Sequence, residues 1–217
     1  MPKKNILFVC DFPFANAGGV GRVTETLAAE FMSRGFGVMY LAFCRGEDDE
    51  IYGIKQLFIP DAVNITSKTN IRYVEHLIET SDIEIIINQG GLKPEIIRVF
   101  SKAAISKTQL FSVHHNCVGC LQDNYQHIIT ENYKHTKVFT WINHPLGWIF
   151  LKWYNRVKYG FYFKRAIRTS DKFVLLSGRF IPELRMYVPE FPTEKVTAIP
   201  NPAPFEVVEG VEDKKEN

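Results

Sequence analysis

Residues 6–44 decide the fold: Ile6-Leu-Phe-Val-Cys10, a loop from Asp11 to Gly19, the series Val20, Val23, Leu27 and Phe31, and then Val38-Met-Tyr-Leu-Ala-Phe-Cys44. The first run is short and continuously apolar, the pattern of a strand covered on both faces. Val20, Val23, Leu27 and Phe31 recur at helical spacing, with Arg22, Glu25, Thr26 and Glu30 opposite and Gly35 as the stop. The run from Val38 then reads as a second buried strand. This is a strand–helix–strand unit.

The same alternation continues outward. Ile54 to Ile59, ending at Pro60, reads as a weaker third strand, and Asn70 to Thr80 as a helix. Ile83 to Asn88 is a strand, and Pro94 in a first turn opens a helix running to about Ile105. Leu110–Val113, Phe173–Leu176 and Val196–Ile199 complete the strands, with a helix between Gly178 and Tyr187. Strands separated by helices of this length imply right-handed crossovers and a parallel sheet. The expected fold is α/β: a doubly wound, mostly parallel Rossmann-like sheet with helices on both faces. In such sheets ligands bind beyond the carboxyl ends of the strands, so residues just after each strand carry most of the functional signal.

Composition narrows the function classes. The 217 residues (25.0 kDa) make one large domain or two small ones, and 46% hydrophobic with 23% charged residues excludes a disordered chain. Four cysteines are too few for a disulfide scaffold. A net charge of +2 excludes a nucleic-acid binder driven by bulk charge. The opening apolar run stops at Asp11, too short for a signal peptide, and no later run reaches the ~18 residues of a spanning helix. A reducing, cytoplasmic setting is the expectation. The charge is nevertheless concentrated. Residues 132–170 hold Lys134, Lys137, Lys152, Arg156, Lys158, Lys164, Arg165 and Arg168 and no acid, whereas residues 206–217 hold five acids and two lysines.

Several constellations could carry chemistry. Ala17-Gly18-Gly19-Val20-Gly21-Arg22 lies between the first strand and the first helix. A helix N-terminus there offers unpaired N–H groups to a phosphate, and glycines let it approach the backbone; a simple turn is the plainer alternative. As a dinucleotide fingerprint the match is poor, because the third glycine position holds Thr24 and Phe43-Cys44-Arg45 supplies no carboxylate after the second strand. His114-His115-Asn116 follows a strand, and alternation sets the two imidazoles on opposite sides. Asn88-Gln89-Gly90-Gly91 also follows a strand, either meeting substrate hydroxyls or forming a turn capped by its own amides. Cys117-Val-Gly-Cys120 lacks a second pair for zinc and a helix to open for redox work, so it reads as structural. His127, His135 and His144 are too scattered for a metal site.

The residues also carry a family resemblance. Ile6-Leu-Phe-Val, Pro13, Gly18-Gly19-Val20, Arg22, Leu27-Ala28, Arg34-Gly35 and Val38 resemble the opening of family 4 glycosyltransferases of the GT-B fold. The similarity continues through Asp82 to Asn88, Ser112 to Asn116, Ser170-Asp171 to Ser177, and Val196-Thr-Ala-Ile-Pro200-Asn201-Pro202, in order along nearly the whole chain. The resemblance implies a retaining, metal-independent enzyme that uses a nucleotide-sugar donor as substrate and needs no cofactor. Residues 1–205 would be the acceptor-side domain and 206–217 an acidic linker. The donor-binding domain, with its paired glutamates, would be the protein's own C-terminal domain, absent from these 217 residues, which alone would not turn over. It implies that Gly18, Gly19 and Arg22 lie by the donor diphosphate and that His115, with His114 as competitor, contacts the transferring sugar. Asn88, Gln89, Gly90 and Asn116 would line the acceptor side. The acceptor would be a glycan or a lipid-linked sugar, as in bacterial surface polysaccharide synthesis. A nicotinamide-dependent oxidoreductase and a non-catalytic sugar- or partner-binding module are the rival readings.

The basic segment 132–170 is also rich in Trp, Tyr and Phe, a combination that suits a lipid headgroup region at the inner face of a membrane. The plainer alternative is a core of aromatics beneath a solvated basic face. Trp148, Phe150, Trp153 and Tyr154 do not form one clean helical stripe.

Overall fold

The computed structural model describes residues 4–12, 18–46, 50–51, 53–103, 107–119 and 145–201. Pro13, Ala17, Cys120, His127, His135, His144, the basic residues Lys134 and Lys137, Pro202 and the acidic segment 206–217 lie outside them.

The elements follow the expected alternation. They are β1 (Asn5–Cys10), α1 (Gly18–Ser33), β2 (Gly37–Ala42), β3 (Glu50–Ile51), β4 (Ile54–Phe58), α2 (Lys68–Thr80) and β5 (Ile83–Asn88). Then come α3 (Pro94–Lys102), β6 (Gln109–His114), α4 (Pro145–Thr169), β7 (Lys172–Leu175), α5 (Phe180–Tyr187) and β8 (Val196–Ala198). The strands form one sheet in the order β3-β4-β2-β1-β5-β6-β7-β8. Every pair is parallel except β3–β4, a short antiparallel edge that the hydrophobic pattern did not announce. The architecture is therefore α/β with a mostly parallel sheet, compatible with a Rossmann-like fold.

Strand alternation distributes the core. Leu7 and Val9 of β1 face one way and pack with Val74 and Leu77 of α2 and Val99 and Phe100 of α3. Ile6 and Phe8 face the other way, against Ala28 of α1. Phe173 of β7 stands across from Ser112, on the side of Leu110, and joins Phe163 of α4 and Leu184 of α5 in a further cluster. Burying a residue such as Phe173 or Phe163 contributes about 2–3 kcal/mol relative to leaving it in water.

Local chemistry sets the ends of the elements. Gly35, at φ 88°, stops α1: its N–H donates to the Met32 carbonyl while Phe36 N–H donates to the Phe31 carbonyl, the paired bonds of a glycine C-cap. Ser67 caps α2 by accepting from the Asn70 N–H. Pro94 opens α3, as the sequence predicts, and the helix ends at Lys102 rather than near Ile105. Helix α4 is the one helix of this set that the sequence pattern does not assign. It meets α5 at Gly160, where a Cβ would lie 2.7 Å from the Tyr187 carbonyl oxygen. No helix among the described residues is long and apolar enough to cross a membrane.

Candidate functional site at the strand reversal

The order of the sheet runs backwards from β1 to β4 and forwards from β1 through β5 to β8. Chains leaving the carboxyl ends of β1 and β5 therefore diverge and leave a crevice, the usual ligand position in open α/β sheets. A cavity of about 400 Å³ opens there. Its walls are Cys10, Asp11 and Phe12 after β1, Val20 in the first turn of α1, and Gln89 to Leu92 with Pro94 between β5 and α3. His114, His115 and Asn116 close it from the end of β6, and Tyr159 and Tyr162 reach it from α4.

The two histidines have different surroundings, as alternation requires. His114 ends β6 on the covered face, 4% exposed, edge-on to Phe163 at 5.3 Å and stacked with Phe173. Burial first, and the neighbouring His115 second, push its pKa down to about 4 against a backbone hydrogen bond to Cys117. It is neutral at physiological pH, and its Nε2 has no hydrogen-bond partner among the described residues. His115 is half-buried, and its Nε2 donates to Gln89 Oε1 at 2.6 Å. Burial lowers its pKa as well. A neutral ring that donates through Nε2 keeps Nδ1 as a lone-pair acceptor. The backbone after His115 is held in place by Val118, fully buried, and by Gly119 N–H donating to Glu183 Oε2 at 3.1 Å.

The turn after β5 divides its duties. Gln89 is buried in the cavity wall, with its backbone N–H on the Val9 carbonyl at 2.7 Å, joining the two strands at the reversal point. Gly90 also faces the cavity, and a Cβ there would come within 2.8 Å of Ile96 Cδ1. Asn88 does not line the cavity, contrary to its expected place on the acceptor side. Its side chain turns into the core, 1% exposed, donating to Ser112 Oγ and accepting from the Gly90 N–H. Parallel pairing of β5 with β6 puts Asn88 opposite Ser112, which is why the side chain finds a partner inside. Asn116 is exposed at the rim.

Gly18 and Gly19 begin α1 and are exposed. Gly18 has φ 56°, a conformation that disfavours other residues. A Cβ on either glycine would meet no atom within 4 Å, so the need for glycine here is conformational at Gly18 and not a crowded approach. Neither glycine is in the cavity wall, which takes Val20 from this helix, and Arg22 is exposed and does not line the cavity. The first helix thus reaches the crevice by its third residue.

Four side chains at the site, Asp11, Lys93, Tyr159 and Tyr162, belong to none of the sequence motifs. Lys93 Nζ is bonded to Asp11 Oδ1, tying the end of β1 to the turn before α3, and lies 5.8 Å from the centre of the Phe12 ring. Asp11 was within reach of the rule that residues just after strands matter. Lys93 carried no comparable signal. Tyr159 and Tyr162 come from a helix about 45 residues downstream of His115, and only tertiary packing brings them in. Cys10, Cys44 and Cys117 are free thiols, and burial pushes the Cys10 thiol up. Among the described residues no group of three or more His, Cys, Asp or Glu could hold a metal ion. No known family model matches the chain, and no curated protein matches its sequence.

Proposed function

We propose that this chain is the acceptor-side domain of a retaining, metal-independent glycosyltransferase of the GT-B type, taking a sugar from a nucleotide-sugar donor to a glycan or lipid-linked acceptor. One observation carries the reading: the start of α1 and the imidazole of His115, remote in sequence, meet the same crevice at the reversal of strand order. That order, and the helices on both faces, support a doubly wound domain. The resemblance of the ordered motifs from Ile6 to Pro202 supplies the reaction class.

In this reading His115 positions the transferring sugar. Gln89 fixes the ring by accepting from Nε2, and burial keeps the imidazole neutral, leaving Nδ1 to accept from a sugar hydroxyl. The first turn of α1, with Gly18 and Gly19, offers N–H groups and the positive end of a helix dipole to the donor diphosphate. Gln89, Gly90 and Asn116 face the acceptor, while Asn88 supports that turn from below. The donor's base and most of its phosphate contacts belong to a second domain.

The test joins the chain to a donor-binding domain and follows transfer from UDP- and GDP-sugars to a lipid-linked acceptor. Changing His115→Ala should lower kcat by about 100-fold through lost positioning, with an unchanged melting temperature. Wild-type kinetics in that variant would remove the role from His115. Saturable binding of NADH, with no response to any nucleotide sugar, would replace this reading by the oxidoreductase one.

A further inference from the structure

Seven of the twelve large hydrophobic side chains that the described residues expose to solvent lie on one helix, α4. Leu146, Phe150, Trp153, Val157 and Phe161 follow one another at intervals of four, three, four and four residues. That spacing lines them up along one side of a helix. Leu146 is 70% exposed, Trp153 59% and Phe161 60%. At 1.5 Å per residue the row is about 22 Å long. Ile149 and Tyr154 widen it on either side. The opposite side of the same helix buries Phe163 and Ala166 and sends Tyr159 and Tyr162 to the crevice.

The charges that α4 itself carries around this row have one sign, although Glu190 shares a groove with Trp153, Val157 and Phe161, and Asp171 another with Phe161. Lys152 and Arg156 lie along one edge, Lys158 and Arg165 along the other, and Lys164 and Arg168 continue the row beyond Phe161. Helix α4 contains no Asp or Glu, and among the described residues none of these six cations is ion-paired with a carboxylate. An exposed apolar strip about 22 Å long costs free energy in water unless something covers it. A second copy of the chain would bring the same six cations against these six. A surface of apolar chains beneath a layer of negative headgroups matches both features at once.

We propose that the outward face of α4 docks flat on an anionic lipid bilayer, with Phe150, Trp153, Val157 and Phe161 entering the interface and the flanking cations meeting lipid phosphates. Docking this way leaves Tyr159 and Tyr162, on the other side of the helix, at the crevice. The proposal does not rest on the transferase reading, and a vesicle assay tests it without any turnover.

The experiment is co-sedimentation of the 217-residue chain with vesicles of phosphatidylcholine, alone or mixed with phosphatidylglycerol. Binding is expected to the mixed vesicles at low salt and to fall as salt rises. The pair Lys164→Gln and Arg168→Gln should weaken partitioning about 25-fold, near fivefold for each cation. Phe150→Gln with Trp153→Gln should weaken it at least about tenfold. All four side chains are exposed, so circular dichroism should be unchanged; were the aromatic pair to misfold, the charge pair still decides. Equal binding to neutral and anionic vesicles overturns the proposal, as does wild-type partitioning in the charge variant. A concentration-dependent dimer that Trp153→Gln dissolves, with no vesicle binding, would overturn it in favour of contact between copies.

Discussion

At His114 the chain leaves β6, and the imidazole lies under α4 between Phe163 and Phe173; one residue later His115 turns out to the crevice and Gln89. The two positions differ in protonation economy as well as in place. Burial holds His114 near a pKa of about 4 against 6.5 in the unfolded chain, so the unfolded state takes up the proton first as pH falls. Its contribution to stability is complete above the unfolded value and is lost between about pH 6.5 and pH 4. At about 1.4 kcal/mol per pH unit the loss is about 3 kcal/mol. Urea unfolding near pH 7 and near pH 4 measures it, and His114→Gln should show a flatter dependence over this range by about that amount. An identical slope in the variant would mean that another group carries the acid sensitivity. The order His-His-Asn was legible in the sequence, and alternation separated the two rings. Which ring meets water was not legible, because it depends on α4 lying over one face of β6.

Among the elements, the joint between β5, β6 and β7 explains residues that read as motifs in the sequence. Ser112 Oγ accepts from Asn88 Nδ2 at 3.3 Å and from Ser170 Oγ at 2.7 Å, making a buried polar chain from β5 through β6 to the segment that leads into β7. Asp171 exchanges two bonds with Leu110, accepting from its N–H at 2.7 Å and donating to its carbonyl at 2.8 Å. The Ser170-Asp171 pair therefore locks the start of β7 to β6. Removing the shared acceptor by Ser112→Ala should destabilise the fold by about 1–3 kcal/mol, since two buried donors lose their partner. Denaturant titration checks this; a change below about 0.5 kcal/mol would show that water or another group replaces the hydroxyl. Helix α4 illustrates the reverse case. Its apolar residues lie on an inward side and on an outward side, so they do not give the single stripe by which a helix is read in sequence.

For the molecule as a whole, β1 pairs with β2 and β5 along most of its length and is buried throughout its apolar run, whereas β3 is two residues at the sheet edge. Native-state hydrogen exchange should find the slowest amides in β1, β5 and β6 and fast exchange in β3 and β8. Slow exchange at β3 with fast exchange at β1 would contradict the sheet described here. The alternation from Ile6 to Ala198 determined by itself that the chain is α/β with a mostly parallel sheet, because strand and helix periods and the crossovers between them are local properties. It also placed the candidate site residues at strand ends. What only the tertiary structure decided is which of those ends converge. Strand order set β1 beside β5, and that opened the crevice. Register turned Asn88 inward to Ser112, and packing of α4 brought Tyr159 and Tyr162 to the site while leaving Trp153 and Phe161 in water. Each of these depends on contacts between segments far apart in the chain, and no local pattern encodes such contacts.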